Sequence, residues 1–259
     1  MIKDERQRRI LELLAKSKSV KSADLSEMFE VSQETIRKDL EAMDEDGLLK
    51  RTFGGAMAIP GVSAGSPDVS DPSLEDRNIT NLREKEDIGR FAASLIEPKD
   101  TIVLDSSTTT LKMVQYIPEN YEITAITNAL ATINELVRKK GVTVISTGGY
   151  YRPQSTSFLG TMSLNNLDGF NINKAFMSGN AFSVEQGVMD PNEQEAEMKR
   201  RMIQKSRESI LLIDSTKYAR MAPITTCGLA SFSTIVSDSK LPEPEVHRIE
   251  ALGIKLFRV

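Results

Sequence analysis

Residues 101–127, TIVLDSSTTTLKMVQYIPENYEITAIT, carry the pattern that decides the fold of the larger part of this chain. A short β-branched run, TIVLD, is followed by a helical segment and then by a second such run, EITAIT. Strands that alternate with helices need crossover connections, which are typical of a parallel sheet. The alternation continues along the sequence, with runs such as VTVIST (142–147), SILLID (209–214) and TIVSD (234–238). We therefore expect an α/β domain with a mostly parallel sheet covered by helices.

The N-terminal part of the chain shows a different pattern, with helical spacing and only short extended pieces. Apolar residues recur at helical intervals over 4–14 and 22–29, and a third helix is predicted from an N-cap at Ser32 to Gly47. Only a few residues separate the last two helices, so these must pack as a tight pair. The following segment, LLKRTFGGAM (48–57), predicts a small hairpin, or wing.

A linker is expected between the two patterns. In residues 57–74, nine of the eighteen residues are Gly, Ser or Pro and large apolar side chains are almost absent, so this stretch cannot help to fill a core. A length of 259 residues also favours two cores, since single cores stop growing at roughly 250–300 residues. The predicted segments are a helical domain with a wing at 1–56, the linker at 57–74 and the α/β domain at 75–259.

The composition is that of a soluble globular chain, with 39% hydrophobic and 27% charged residues. No run approaches the roughly 18 consecutive apolar residues of a membrane helix, and the charged residues that follow Met1 predict that there is no signal peptide. The one cysteine, Cys227, excludes an intramolecular disulfide. We therefore expect a cytoplasmic protein with no membrane partner.

The segment VSQETIRKDL (31–40) has the features of a helix that fits into the DNA major groove. Its polar side chains fall opposite Ile36 and Leu40, where Gln can pair with adenine and Arg with guanine, while Lys suits phosphates. The predicted DNA contacts are Ser32, Gln33, Glu34, Thr35, Arg37, Lys38, Lys50 and Arg51. Net charge does not decide whether residues 1–56 bind DNA, because they hold eleven Lys and Arg against twelve Asp and Glu. The alternative is a helical interaction module with a solvated charged face.

Small polar residues end three successive predicted strands of the larger domain, in LDSSTTT (104–110), in Thr127-Asn128 and in Thr147-Gly148-Gly149. The carboxyl ends of parallel strands share one edge of the sheet, where ligands bind. Free N–H groups and hydroxyls at a helix start suit a phosphate, although an isolated turn of this kind is more often only a helix cap. The candidate ligand residues here are Asp105, Ser106, Ser107, Thr108, Thr109, Thr127, Asn128, Gly148, Gly149 and Arg152.

Two later segments add charged candidates. Asp214 and Lys217 come directly after the apolar run SILLID, where charged side chains point into a ligand crevice and could hold sugar hydroxyls and a phosphate. Glu195 and Lys199 are four residues apart on a predicted helix. They are therefore either further ligand residues or a surface helix pair.

The segments ERQRRILELL (5–14), VSQETIRKDL (31–40) and RTFGGAM (51–57) resemble, in order and spacing, the winged helix-turn-helix of the DeoR family of bacterial transcriptional regulators. The segments LDSSTTT, ITNAL, STGGYYR, NEQEAEMKRRMI and LLIDSTK resemble the sensor domain of the same family. The resemblance implies a sensor fold related to ribose-5-phosphate isomerase and the coenzyme A transferases. It also implies a phosphorylated sugar effector, an operator in double-stranded DNA, and repression as the usual outcome. A single recognition helix reads few bases, so a homodimer or homotetramer is expected.

Four residues depart from the family pattern. Lys38 stands where the family has a second Arg, Phe53 where it has His or Tyr, and Ser107 where it has Gly. Thr216 stands where the family has Ser, which leaves the charged pair of Asp214 and Lys217 intact. Lys lacks the guanidinium fork, which favours a phosphate contact for Lys38. Gly permits a positive φ and close approach to a phosphate, so Ser107 is expected either to add its hydroxyl or to change how the ligand binds.

The competing function is that of a phosphosugar isomerase with an accessory DNA-binding module, because Glu195, Asp214 and Lys217 in one crevice could transfer protons. We favour a regulator without catalytic residues, since the Ser-rich loops hold no second acid and a DNA-binding domain would be idle in an enzyme. No metal or other cofactor is expected, because His247 and Cys227 are the only histidine and cysteine.

Overall fold

A computed structural model of the chain describes residues 6, 7, 9, 10, 13, 14, 19–45, 49–57 and 72–259. The chain forms two compact units, residues 1–70 and 71–259. Every described residue of the predicted first helix, 4–14, is helical. Of the predicted linker, Met57 ends a strand and Leu74 begins a helix, while 58–71 lies outside the described residues.

The first unit combines helices with a three-stranded antiparallel sheet, in which β3 lies between β1 and β2. Its elements are β1 (Ser19–Lys21), α1 (Ser22–Phe29), α2 (Gln33–Glu45), β2 (Lys50–Thr52) and β3 (Gly55–Met57). The predicted apolar stripes meet in one core, formed by Ile10, Leu14, Leu25, Phe29, Ile36, Leu40, Met43, Leu49 and Ala56. The wing is therefore the β2–β3 hairpin, and β1 is a strand that the sequence pattern did not indicate.

The second unit contains twelve strands among its described residues, and seven of them form one sheet. The strands are β4 (Thr101–Leu104), β5 (Ile123–Thr127), β6 (Val142–Ser146), β7 (Tyr150–Arg152), β8 (Ser157–Leu159), β9 (Ile172–Met177), β10 (Ala181–Ser183), β11 (Gly187–Asp190), β12 (Ser206–Leu212), β13 (Ile224–Cys227), β14 (Thr234–Ser237) and β15 (Lys255–Arg258). The large sheet has the order β15-β14-β12-β9-β4-β5-β6, and all of its neighbouring pairs are parallel. Two smaller antiparallel sheets accompany it, β10-β11-β13 and β7-β8.

Helices cover both faces of the large sheet. The helices of this unit's described residues are α3 (Leu74–Ile79), α4 (Leu82–Ala93), α5 (Thr108–Val114), α6 (Leu130–Leu136), α7 (Thr161–Asn165), α8 (Glu193–Lys205) and α9 (Glu243–Glu250), of which α4, α5, α6, α8 and α9 contribute to the cores on the sheet. Strand side chains alternate between two cores: Ile102 and Leu104 lie in the core that contains residues of α4, α5 and α6, and Val103 lies in the core of α8 and α9. Helix α4 packs closely on α5, because a Cβ at Gly89 would lie only 2.8 Å from the Met113 amide nitrogen.

The fully parallel arrangement brings the carboxyl ends of the strands to one edge. The segments that follow β4, β5, β6, β9 and β12 therefore share this edge, as predicted for an α/β domain of this kind. The fold confirms the predicted class, a helix-covered parallel sheet together with a small winged helical unit.

Candidate functional site

Helix α2 has a buried apolar side and an exposed polar side. Ser32 caps its first turn, since the Ser32 Oγ accepts a hydrogen bond from the Thr35 amide at 3.1 Å. Ile36 and Leu40 are buried, as predicted. The exposed side chains are Gln33, Glu34, Arg37 and Lys38. These four candidates therefore share one accessible surface of the helix.

Arg37 and Glu34 form an ion pair on that surface. Arg37 donates through Nε to Glu34 Oε2 at 2.9 Å and through Nη2 to Oε1 at 2.8 Å. The hydrogen bond from Arg37 lowers the pKa of Glu34. An exposed pair of this kind adds little to stability. Its effect is to hold the guanidinium fork in one orientation, from which guanine acceptor atoms could replace the carboxylate.

A buried ion pair fixes α2 from the other side. Arg6 Nε donates to Asp39 Oδ2 at 2.6 Å, and the two side chains are 7% and 4% exposed. Arg6 belongs to the helical residues that precede β1, so the pair ties α2 to them. The sequence analysis did not single out these residues. The available signal was an acidic residue on the buried stripe of α2, three positions after Ile36.

The wing and α2 enclose a groove of about 300 Å³. Its lining residues are Ser22, Gln33, Glu34, Arg37, Leu40, Arg51, Thr52, Gly54 and Gly55. Arg51 is tied to α2, since its Nη1 lies 3.2 Å from Glu41 Oε1, whereas Lys50 is exposed. Of the predicted DNA contacts, Gln33, Glu34 and Arg37 on the helix and Arg51 on the wing therefore line one groove.

The tip of the wing is built on glycine and carries an exposed aromatic side chain. Gly54 has a φ of +91°, and a Cβ at Gly55 would lie 2.0 Å from the Val20 carbonyl oxygen. Phe53, between β2 and these glycines, is fully exposed. The close approach at Gly55 fixes the wing against β1.

In the second unit, Asp105 organises the loop between β4 and α5. Its Oδ1 accepts hydrogen bonds from the Ser107 amide at 3.1 Å and the Ser107 hydroxyl at 2.6 Å, and its Oδ2 accepts one from the Ser178 amide at 3.0 Å. Ser107 is the N-cap of α5, with a φ of −82°. No positive φ is needed at this position, so Ser can replace Gly without strain. The hydroxyl of Ser107 is used inside the loop.

Glu195 closes the same edge from α8. Its Oε2 accepts from Ser106 Oγ at 2.8 Å and its Oε1 from Ser157 Oγ at 2.9 Å, and Arg152 Nη1 lies 3.8 Å from Oε1. Three of the predicted residues, Ser106, Arg152 and Glu195, come from three separate segments and are thus joined with Ser157 in one network.

Lys199 lies in a second buried network rather than on the surface. Its Nζ donates to Asp190 Oδ1 at 2.6 Å and lies 3.7 Å from Asp105 Oδ2. Burial lowers the pKa of Lys199, but Asp190 and Asp105 outweigh burial and the net shift is upward. The interpretation of Glu195 and Lys199 as a surface helix pair is wrong, because both side chains are buried and each is bonded elsewhere.

Asp214 and Lys217 meet at the end of β12. Lys217 Nζ lies 3.8 Å from Asp214 Oδ2 and donates to Ser178 Oγ at 3.0 Å. Asp214 is fully buried, and its Oδ1 accepts a hydrogen bond from Asn81 Nδ2 at 3.1 Å. Burial lowers the pKa of Lys217, and the nearby Lys199 adds to this effect, while Asp214 opposes it. The predicted charged pair is therefore present, with a partner that the sequence analysis missed.

Two further cations were also missed. They are Arg77 on α3 and Lys85 on α4. The charges of Lys217, Asp214 and Arg77 all affect the pKa of Lys85. Lys85 is 3% exposed and donates to the Arg77 carbonyl oxygen. Burial and the charge of Lys217 lower the pKa of Lys85 to about 8. The signal in the sequence was a lysine on the apolar stripe of α4, which continues through Ile88 and Ala92.

The remaining candidates lie at or directly after the ends of β5 and β6. Thr127 Oγ1 accepts from the Ala129 amide at 3.1 Å, and Asn128 Nδ2 donates to the Phe158 carbonyl oxygen at 3.1 Å. Gly148 and Gly149 have positive φ values of 59° and 117°.

Several buried polar atoms of residues 72–259 have no hydrogen-bond partner in the chain. They are Arg77 Nε, Asn78 Oδ1, Thr109 Oγ1, Asn128 Oδ1, Asp214 Oδ2 and Ser237 Oγ. Buried polar groups are nearly always paired. Thr109, Asn128 and Asp214 are predicted ligand residues, and each lies in a segment that follows a strand of the large sheet at the same edge.

Family profiles match both units. A profile described as a DeoR-like helix-turn-helix domain matches residues 6–60, and one described as a DeoR C terminal sensor domain matches residues 80–239. The uncharacterized HTH-type transcriptional regulator YulB of Bacillus subtilis strain 168 is 36% identical over 259 residues, which cover 100% of this chain and 98% of that protein. A putative aga operon transcriptional repressor of Escherichia coli O157:H7 is 31% identical over 255 residues, which cover 98% of this chain and 93% of that protein.

Similarity to solved structures is more distant. Ribose 5-phosphate isomerase A from Methanocaldococcus jannaschii is 12% identical with a TM-score of 0.42, covering 54% of this chain and 56% of that chain. A probable sor operon regulator from Shigella flexneri is 11% identical with a TM-score of 0.42, covering 70% of this chain and 91% of that chain. Similarities of this size carry no conclusion about function.

None of the helices in the described residues has the length and apolar character needed to cross a membrane. The two profiles together match most of the sequence, in the order of the two units, and the relatives align along nearly their whole length. The chain belongs to the DeoR family of transcriptional regulators, with a DeoR-like helix-turn-helix domain followed by a DeoR C-terminal sensor domain.

Proposed function

We propose that this protein is a DNA-binding repressor of carbohydrate-metabolism genes and that a phosphorylated sugar controls it. The observation that carries the proposal is the group of cations Arg77, Lys85 and Lys217 near the carboxylate of Asp214. A phosphate bound there would pair with these cations. We also propose that residues 1–56 bind DNA, that residues 75–259 bind the effector, and that the protein acts as a homodimer or homotetramer.

The chemistry of the crevice supports a phosphorylated sugar over a simple anion. Burial and the charges of neighbouring cations lower the pKa values of Lys85 and Lys217, and a bound dianion would raise both values again. Asp214 Oδ2 and Asn128 Oδ1 are acceptors without partners, and Thr109 Oγ1 can both donate and accept. Acceptors of this kind suit sugar hydroxyls, while the cations suit the phosphate.

The polar surface of α2 and the wing supports DNA as the other partner. We propose that Gln33 and Arg37 read base edges and that Lys38 and Lys50 contact phosphates, with Arg51 aligning the wing on α2. One of the relatives is named as a repressor of the aga operon. Repression of a sugar operon is accordingly the outcome that we propose here.

The test is a linkage experiment on the full-length protein. An operator is first selected from random double-stranded DNA, and sugar phosphates are then screened for their effect on operator affinity. We expect Lys217→Gln and Thr109→Val each to raise the midpoint of the sugar-phosphate response at least tenfold, with operator affinity in the absence of ligand unchanged. Lys255→Ala is the matched control, because Lys255 is an exposed lysine on β15, outside the crevice.

Reciprocity gives a second readout of the same proposal. Operator DNA must change the affinity for the sugar phosphate by the same factor by which the sugar phosphate changes operator affinity. Wild-type midpoints in both crevice variants would show that the ligand binds elsewhere.

Catalysis is the competing function, and the hydrogen bonds of Glu195 and Asp214 argue against it. Both carboxylate oxygens of Glu195 accept hydrogen bonds from serines, and Asp214 Oδ1 accepts from Asn81. We therefore propose that the crevice binds its ligand without converting it. Turnover of pentose or hexose phosphates that is lost in Asp214→Asn would favour an isomerase instead.

A further inference from the structure

The two edges of the seven-stranded sheet differ in how they are protected. β15, at one edge, carries Lys255 and Arg258, and Arg258 Nη1 is paired with Glu243 Oε2 at 2.6 Å. β6, at the other edge, has the sequence VTVIS, with no charge and no proline. Charged residues are a common means of preventing strand edges from pairing with other chains. One edge of this sheet has this protection and the other lacks it.

The hydrogen bonds of β6 show which of its backbone groups point outward. The Gly141 carbonyl oxygen accepts from the Ile123 amide, and the Thr147 amide donates to the Thr127 carbonyl oxygen, each at 3.1 Å. The backbone N–H and C=O groups of the odd-numbered residues of β6 therefore point toward β5, and those of Val144 point away from it. Within residues 72–259, neither the amide nor the carbonyl group of Val144 has a hydrogen-bond partner.

The outward groups of β6 are complementary to themselves. The Val142 amide is used by a turn to the Lys139 carbonyl oxygen, which leaves the Val142 carbonyl, both groups of Val144 and the Ser146 amide. An antiparallel pair centred on one residue needs that residue's N–H and C=O, the C=O two positions before it and the N–H two positions after it. β6 offers these four groups, centred on Val144.

We propose that β6 is a self-association surface, on which a second copy of the chain pairs antiparallel about a two-fold axis at Val144. The two sheets then form one continuous sheet across the axis. Each Val144 exchanges two hydrogen bonds with its counterpart, and each Ser146 amide donates to the Val142 carbonyl of the other copy. This inference rests on the sheet of the second unit; it assigns a surface to the homo-oligomer proposed above and is independent of the proposed DNA and effector sites.

The side chains around β6 are compatible with this pairing. Thr143 is exposed, so it can face its counterpart diagonally across the axis without displacing core residues. The basic residues Arg138 and Lys140 come before the strand, and antiparallel pairing puts the two copies of each at opposite ends of the interface. No like charges therefore face each other at its centre.

The pairing predicts how charges at position 143 act. Thr143→Lys and Thr143→Glu each place two like charges diagonally opposite each other, so each purified variant is expected to have half the wild-type mass in sedimentation velocity at tens of micromolar protein. An equimolar mixture of the two variants is expected to recover the wild-type mass, because Lys then faces Glu. Lys255→Glu, on the protected edge, is the control and should leave the mass unchanged.

Hydrogen exchange in the wild-type protein gives a measurement that needs no variant. The amides of Val144 and Ser146 are expected to exchange at least tenfold more slowly as the oligomer forms with rising protein concentration. The proposal is overturned by a wild-type chain that stays at 28.7 kDa, by Thr143 variants that keep the wild-type mass, or by an oligomer in which the Val144 amide exchanges as fast as in the monomer.

Discussion

Arg37 combines two properties at the scale of the single residue, since its side chain is exposed and its fork is held by Glu34. Replacing Arg37 should change the free energy of unfolding by no more than about 0.5 kcal/mol. It should weaken operator binding by about 1–3 kcal/mol. We expect Arg37→Ala to weaken the selected operator by that amount in a fluorescence-anisotropy titration, with little effect on unrelated DNA. Arg90→Ala is the control, because Arg90 forms a similar exposed pair with Asp87 in the other unit. Equal losses on operator and unrelated DNA would contradict a base contact.

Lys50 tests the phosphate side of the same surface. It is exposed on β2 and has no role in the core. We expect Lys50→Ala to weaken binding to all DNA sequences alike and to lower the slope of log affinity against log salt by about one. A loss confined to the operator would instead make Lys50 a base-reading residue.

Lys85 should make effector binding depend on pH. Its pKa of about 8 reflects burial and the charge of Lys217, with Arg77 and Lys112 acting in the same direction and Asp214 against them. A bound phosphate favours the charged form of Lys85, so above pH 8 binding is accompanied by the uptake of a proton. The affinity therefore falls as the pH rises, by at most about tenfold per pH unit. The phosphate itself is a dianion throughout this range. We expect titrations between pH 7.5 and 9.5 to show this decline, and Lys85→Met to bind more weakly with a flatter profile. An equally steep profile in Lys85→Met would assign the proton to Lys217.

At the scale of the element, the position of α2 depends on the Arg6–Asp39 pair. Removing one partner of a buried ion pair costs about 3–5 kcal/mol, because a charge is left in a poorly solvated place. We expect Asp39→Ala to lower the unfolding free energy of the first unit by about that much in urea, followed by circular dichroism. Glu34→Ala, which breaks the exposed pair on the same helix, should change it by less than about 1 kcal/mol. Equal effects of the two variants would show that the buried pair does not hold the helix.

The elements that could be predicted from the sequence are those with a strong local pattern. Strands such as β4, β5 and β12 and helices such as α1 and α2 follow from periodicity. The three-residue strands β1, β7, β8 and β10 have too few positions to show any period. Spacing within a helix predicted that Glu195 and Lys199 could meet each other, but it contains no information about Ser106, Ser157 or Asp190, which face the helix from other segments. Asn81 was missed for the same reason, since its partner Asp214 is 133 residues away.

At the scale of the whole molecule, the question is whether the two units are joined by an accessible connection. The composition of 57–74 predicts such a connection, and this stretch contains no Lys or Arg, so trypsin would not cut it. We expect limited subtilisin digestion to cut there first and to give two stable fragments, identified by mass spectrometry. First cleavage inside either unit would contradict the predicted domain boundaries.

The order in which the chain is synthesised gives the crevice a further consequence. The last strand of the helix-turn-helix unit, β3, ends at Met57, whereas the proposed ligand site needs both Asn81 and Asp214. At elongation rates of about 5–20 residues per second, about 10–40 s pass between the wing and the C-terminus. Each new molecule can therefore finish its helix-turn-helix unit before it can form the proposed ligand site. A nonsense mutation before codon 214 would make that state permanent, and we expect its product to show no response to the sugar phosphate in an operator-binding titration.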